Sequence, residues 1–303
     1  MNTTFQKVIV IGYGKVTGEV LWYVRAQKEE YGYEIEFIEH EVHSLSITEK
    51  ICAENEIPFT RITDKKELAA YLDKIAERTL IISASNNFLF PASLVEKEHV
   101  TIINFHNALL PEYPGRNAPT WVIYMGEKVT GITWHYVTAG VDEGSIIIQK
   151  SCEIGDDTKA YELTEQLMDL ASEAFRESFA DVMAESVKAK PQEFDPKRKM
   201  YRSYEVPAEG YFELTDSTED IYRLLRSVDY GKNDIFPPMR TMVDGKEAEI
   251  LRYRKVTPDK RKEEESFLYL QLGDGDLLKM KYQLINGGHT HGRKNLGNTG
   301  RTL

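Results

Sequence analysis

The chain has only two cysteines among its 303 residues, Cys52 and Cys152, far apart and with no Cys or His at metal-ligand spacing from either. A disulfide framework or a structural zinc site is disfavoured, no metal is expected, and a reducing cytoplasm is the expected compartment. No run of eighteen apolar residues occurs, and Met1–Val10 lacks the apolar centre of a signal peptide. Neither a membrane span nor export is expected. Positive charge is in deficit as well, with 38 Lys and Arg against 49 Asp and Glu and a net charge of −11. Nucleic-acid affinity depends on neutralising phosphates, so a bulk polyanion binder is disfavoured.

What is present suffices for real cores: 41% of residues are apolar and 11% aromatic, in a length that suits one large or two modest domains. Val8–Ile11 is a buried-strand run, followed by Gly12-Tyr13-Gly14-Lys15-Val16-Thr17-Gly18 and a helix carried through Leu21 and Val24. The pattern predicts further strands over Glu34–Ile38 and Leu80–Ser83, and helices over Ile47–Asn55, Lys66–Glu77, Ala92–Glu96 and from Asn117 through Met125. Strands alternating with helices imply an α/β, Rossmann-like doubly wound sheet that is mostly parallel. A long helix over Thr158–Val187 closes this expected catalytic domain, residues 1–187.

Residues 188–203 lose periodicity and gain Lys, Pro and Asp, which marks a linker. Residues 204–285 carry a helix near Thr218–Val228, the turn Phe236-Pro237-Pro238, and strands near Thr241, Glu249–Tyr253, Leu268–Leu272 and Leu277–Leu284. Hairpin turns at Val243-Asp244-Gly245-Lys246 and Gly273-Asp274-Gly275-Asp276 complete a small β-rich, barrel-like C-terminal domain. Residues 286–303, with His289 and His291, have the Gly, Asn and Thr content of a disordered tail.

The first glycine loop invites a dinucleotide reading. That fingerprint requires Gly or Ala at the place Thr17 occupies, and Gly18 falls one residue late; Glu36 or Glu39 would have to supply the acid that holds a ribose. A tight strand-to-helix turn is the simpler account.

The most specific pattern lies further on. Asn104-Phe105-His106 precedes the turn Leu110-Pro111-Glu112-Tyr113-Pro114-Gly115, and Gly140-Val141-Asp142-Glu143-Gly144 follows. Taken singly, Asn-x-His and Val-Asp-Glu-Gly are ordinary turn formers. Together Asn104, His106 and Asp142 are the parts needed to move an acyl group onto an amine. Two residues apart on a strand, Asn104 and His106 leave the same face and can converge on one centre. Both can donate to a developing oxyanion, and Asp142 can accept a proton and favour the charged, donor form of His106. His135, in Thr133-Trp134-His135-Tyr136, is expected at the back of this centre as a satisfied, neutral histidine, and Glu143 as a solvated side chain.

The spellings FHNALLPEYPGRNAP and GITWHYVTAGVDEGSIIIQ resemble the formyltransferases that use 10-formyltetrahydrofolate. The resemblance covers roughly the first 190 residues and departs at Pro114, where that family carries Arg or Lys; Arg116 lies just beyond. It implies a cis Leu110–Pro111 bond, catalysis by Asn104, His106 and Asp142, and 10-formyltetrahydrofolate as co-substrate. Phe88, Leu89 and Phe90, in the apolar loop Ser85–Pro91, are the implied folate-pocket residues, with Thr138, Ala139, Gly140 and Val141 as the opposite wall. The three loop side chains would equally suit a role in capping the core. Tyr113, Arg116, Asn117 and Trp121 are the candidate substrate contacts, although Trp121 also suits the core.

The second half is similar to the C-terminal domain of formyltransferases acting on methionyl-tRNA and on nucleotide-linked amino sugars. Its balanced Lys, Arg, Asp and Glu favour a small amine on a nucleotide-linked sugar over tRNA. Methionyl-tRNA formylation and, from another class, a non-catalytic nucleotide-sensing module built on the first glycine loop remain open, as does the oligomeric state.

Overall fold

The computed structural model describes residues 3–41, 47–195, 197–262 and 264–285; the tail expected over 286–303, with His289 and His291, lies outside the described residues. The chain divides into two compact units. The first contains the chain up to Pro207 together with Arg226–Ile235, and the second contains Ala208–Leu225 and the chain from Phe236 onward.

In the first unit, β1 (Lys7–Gly12) leads into α1 (Gly14–Tyr31), β2 (Glu34–Glu39), α2 (Ile47–Glu54), β3 (Phe59–Arg61), α3 (Lys65–Leu72) and β4 (Thr79–Ala84). The short α4 (Ala92–Val95), β5 (Val100–His106), α5 (Ala118–Tyr124), β6 (Val129–Tyr136), β7 (Ile146–Glu153) and the long α6 (Ala160–Met183) follow. The sheet order is β3-β2-β1-β4-β5-β6-β7, parallel through β5 and antiparallel for the last two strands. This is the expected Rossmann-like, mostly parallel arrangement. Val8, Ile9, Val10 and Ile11 of β1 and Leu80, Ile81 and Ile82 of β4 are wholly buried. Helices on both sheet faces demand such continuous apolar runs, which is why these strands were legible.

Several boundaries differ from expectation for local reasons. Helix α3 stops at Leu72 instead of Glu77, because the chain turns after Asp73 to bury Ile75. Its start is firm, since Asp64 Oδ1 accepts from the N–H groups of Lys66 and Glu67 at 2.9 Å each. Strand β3, three residues long, is too short to show a period. Residues 188–203, expected as a linker, are packed into the first unit, where they bond to two of its loops.

The second unit holds α7 (Thr218–Ser227) up to Leu225, and β8 (Arg240–Val243), β9 (Lys246–Val256), β10 (Phe267–Gln271) and β11 (Leu277–Leu284) in one antiparallel sheet of order β10-β11-β9-β8. Asp244 and Gly245 both have positive φ, 49° and 75°, as a two-residue hairpin turn requires. Among the described residues no helix is long and apolar enough to cross a membrane.

Gly12 ends β1 where the backbone passes closest to β4. Its φ is +152°, and a Cβ there would lie 1.8 Å from the Ala84 carbonyl oxygen. Gly12→Ala is therefore expected to cost about 2 kcal/mol or more of unfolding free energy in a denaturant titration. A loss below about 0.5 kcal/mol, the range of a neutral surface change, would contradict this packing.

Candidate active site

The site grows from the end of β5. Asn104 and His106 lie on one face of the strand, and the register pairs Asn104 with Ser83 of β4 on one side and with His135 of β6 on the other. The Ser83 hydroxyl donates to Asn104 Oδ1 at 2.7 Å. Asn104 Nδ2 lies 3.2 Å from His135 Nε2, while His135 Nδ1 lies 2.8 Å from the Tyr136 carbonyl oxygen. With Nδ1 facing a carbonyl acceptor and Nε2 facing an amide nitrogen, one Asn104 N–H is directed at His135. The amide orientation is thereby set, and the second N–H of Asn104 has no hydrogen-bond partner among the described residues.

His106 is held at its other end. Its Nε2 donates to the Tyr113 carbonyl at 2.9 Å, and its Nδ1 lies 3.6 Å from Asp142 Oδ2. That same Oδ2 accepts the Gly115 N–H at 2.8 Å, and Oδ1 lies 3.6 Å from His135 Nε2. The three expected residues are thus brought together, within one buried cluster that also includes His135: the His106, His135 and Asp142 side chains are 5%, 2% and 11% exposed. The Leu110–Pro111 bond is cis, as the resemblance implied.

Burial pushes the His106 imidazole below its ordinary value of 6.5, with Arg198 and His135 acting in the same direction and Asp142 and the Tyr113 carbonyl opposing. Asp142 favours the charged form of His106, as expected, but desolvation of the imidazolium outweighs that attraction. Burial alone would raise Asp142, but His106, His135 and the Gly115 N–H hold it well below the usual carboxylate range. At neutral pH the centre therefore presents an ionised carboxylate beside a neutral imidazole whose Nδ1 carries a lone pair. Two acceptors 3.6 Å apart receive a donor such as an amine or a water, and the Asn104 N–H nearby receives an oxyanion.

The other candidates divide. Phe88 belongs to the hydrophobic core, edge-on to His40 and Phe90 at 5.4 and 5.3 Å. Leu89 is 73% exposed and Phe90 half-buried. Thr138 and Ala139 are exposed, and Gly140 and Val141 partly so. Tyr113 stacks on Tyr201 and donates its hydroxyl to Glu127 at 2.5 Å. Arg116 donates its backbone N–H to the Tyr201 carbonyl, and Asn117 caps α5 in a left-handed conformation, φ 55°. Trp121 is buried against Tyr201, ring centroids 4.3 Å apart, and its indole N–H has no hydrogen-bond partner among the described residues.

Sequence reasoning missed Ser83, gave His135 too small a part, and took the segment carrying Gln192 and Arg198 for a linker. Ser83 had a signal, since a polar residue ending an otherwise apolar strand faces the ligand side of an α/β sheet. The glycine loop, by contrast, is a packed turn: the Thr17 hydroxyl bonds the carbonyls of Tyr13 and Ala84. Glu36 accepts from Tyr71, Thr60 and Lys7, and Glu39 pairs with Arg61. Both acids that a ribose would need are engaged inside the protein.

The formyl transferase family model matches residues 13–179. A curated relative, the methionyl-tRNA formyltransferase of Acetivibrio thermocellus, is 31% identical over 147 residues, 48% of this chain and 47% of the relative. The chain thus spans about half the length of that relative. Among solved structures, an N-formyltransferase from Helicobacter canadensis, in complex with folinic acid and dTDP-3-aminofucose, has a TM-score of 0.66 at 15% identity, covering 92% of this chain and 100% of that one. The sugar 3N-formyltransferase WlaRD, in the presence of dTDP and 5-N-formyl-THF, has the same TM-score and identity over 92% of this chain and 98% of its own. At this identity these structures show a shared fold.

The depressed His106 value has a direct consequence. In an NMR titration of the free protein, His106 is expected to take up its proton below pH 6.5. Its folded value lies under the unfolded one, so its contribution to stability is present above that value and is lost as pH falls. A His106 midpoint at or above 6.5 would overturn the assignment.

Proposed function

The chain belongs to the formyl transferase family, and from that membership we propose that it moves a formyl group from 10-formyltetrahydrofolate to a primary amine on a nucleotide-linked sugar. The observation that carries this reading is Asp142, buried between His106 and His135 and held by the Gly115 N–H, beside an Asn104 amide with one N–H to spare.

In the proposed reaction the amine nitrogen bonds to the formyl carbon while the carbonyl electron pair moves onto oxygen, where the Asn104 N–H stabilises it. The proton of the attacking nitrogen passes to His106 Nδ1, with Asp142 stabilising the imidazolium that results. Collapse re-forms the carbonyl and breaks the bond to the donor nitrogen, which takes the proton back from His106. Ser83 and His135 position Asn104. Leu89, Phe90 and the loop from Thr138 to Val141 are proposed to hold the folate donor, and Tyr113, Arg116 and Asn117 to face the amine substrate.

The sugar is supported by two neighbours that match over 92% of this chain, one carrying dTDP-3-aminofucose and the other, a sugar 3N-formyltransferase, carrying dTDP. A second reading, formylation of methionyl-tRNA, is supported by the curated relatives. Incubation with the folate donor and a panel of dTDP- and UDP-amino sugars, with mass detection of formyl gain, tests the first; tRNA binding that falls steeply with salt would favour the second. Asn104→Ala is expected to lower kcat about 100-fold or more, as for loss of one oxyanion donor, with the fold retained by circular dichroism. Near-native turnover in that variant or in Asp142→Ala would refute the assigned roles.

A further inference from the structure

Segment 190–201 reaches both loops that hold the catalytic cluster. Lys190 and Ile146 exchange two backbone hydrogen bonds of 2.8 Å. Gln192 Nε2 donates to the carbonyls of Asp142 and Gly144, at 3.0 and 2.7 Å. Arg198 Nη1 donates to the Pro111 carbonyl at 2.6 Å, and its Nη2 lies 3.8 Å from Glu143 Oε1. The guanidinium stacks over Phe194, 4.0 Å from the ring centroid, and the side chain is only 13% exposed. Tyr201 closes the strap, donating its N–H to Pro114 and accepting from Arg116.

These anchor points bear on the chemistry. Pro111 opens the turn whose Tyr113 carbonyl holds His106 and whose Gly115 N–H holds Asp142. Glu143 follows Asp142 in the opposite loop, so one guanidinium bonds the first loop and neutralises part of the second. We propose that Arg198 is a positioning residue for the transfer reaction: it ties the Pro111–Gly115 turn to the Asp142 loop and fixes a cation on the turn whose Tyr113 carbonyl holds His106. This places in a segment expected as a linker the positive charge for which Arg116 was the sequence candidate.

The electrostatic part follows from what surrounds His106. The turn contributes the Tyr113 carbonyl, the opposite loop contributes Asp142 with Glu143 beside it, β6 contributes His135, and the strap contributes Arg198. Arg198 and His135 oppose protonation of His106, and Asp142 favours it. A planar, permanently charged fork stacked on an aromatic ring supplies both direction and charge, whereas an ammonium supplies charge alone.

The catalytic consequence rests on the formyl-transfer reading, but the electrostatic one does not, which separates the two tests. NMR titration of His106 in the free, full-length protein is expected to show a midpoint moved upward in Arg198→Met and kept near the wild-type value in Arg198→Lys. With the formyl donor and a responsive amine, Arg198→Met is expected to lose about 10- to 100-fold in kcat, as for a displaced catalytic group, with KM for the donor within about twofold. Its acid limb should move to higher pH, and Arg198→Lys should restore the limb but only part of the rate. Thermal unfolding confirms that each variant is folded. An unmoved His106 midpoint in folded Arg198→Met, or equal midpoints in the Met and Lys variants, overturns the proposal. If no amine is formylated, the titration still decides it, while the functional reading fails separately.

Discussion

A carboxylate taken out of water must be hydrogen-bonded or compensated by its surroundings, or give up its charge. Asp142 meets that requirement with groups from three different parts of the chain: Oδ2 takes the Gly115 N–H and faces His106, and Oδ1 faces His135. Each contact constrains something else. The Gly115 bond fixes the turn after the cis proline, which in turn supplies the Tyr113 carbonyl that holds the far nitrogen of His106. His135 accepts from Asn104, whose oxygen is held by Ser83. One buried charge thereby organises four other polar side chains, His106, His135, Asn104 and Ser83, and a loss at any point leaves an unpaired polar group in a poorly solvated site.

The sheet makes this possible by placing strand ends side by side. Ser83, Asn104 and His135 sit on three adjacent strands in matching register, so their spacing follows from the fixed distance between strands and not from loop conformation. The antiparallel turn of β6 against β5 matters here, because it sets His135 directly beside Asn104. Loops then supply only Asp142 and the backbone donors, and the strap from Lys190 to Tyr201 holds those loops down. A centre built partly on strands and partly on pinned loops is pre-organised, which is what electrostatic stabilisation of a developing charge requires.

Much of this was visible in the sequence because the signals are local. Val8–Ile11 and Leu80–Ser83 are apolar runs, Asn104 and His106 share a face by spacing alone, and Asp244-Gly245 declares its own turn. What escaped was set by partners far away in the chain. His135 was legible as buried, but its contact with Asn104 depends on a register across 31 residues. Gln192 and Arg198 lie where periodicity fails, and only the fold reveals that the failure marks a strap pinned to two loops. The proton affinity of His106 was only half legible for a related reason: the attraction of Asp142 can be anticipated from neighbouring motifs, whereas the degree of burial that outweighs it cannot. The packing of Phe88 is of the same kind, since only the fold brings its ring against His40 in the core.

For the proposed transfer, the balance of charges in the cluster explains why one imidazole can serve twice. A base that held its proton tightly would already be protonated at neutral pH and could take nothing from the attacking amine. Burial and the Arg198 charge prevent that by disfavouring the imidazolium, while Asp142 keeps the penalty from becoming prohibitive. The ionised carboxylate also accepts an N–H of the entering amine, which reacts as the free base and passes one proton to His106 as it attacks. Once His106 is protonated, Nδ1 becomes a donor within the same pocket as the Asn104 N–H, at the moment when negative charge has collected on oxygen. The carboxylate, imidazole and amide thus change from attracting the nucleophile to stabilising the intermediate through movement of a single proton, with no displacement of the backbone that holds them.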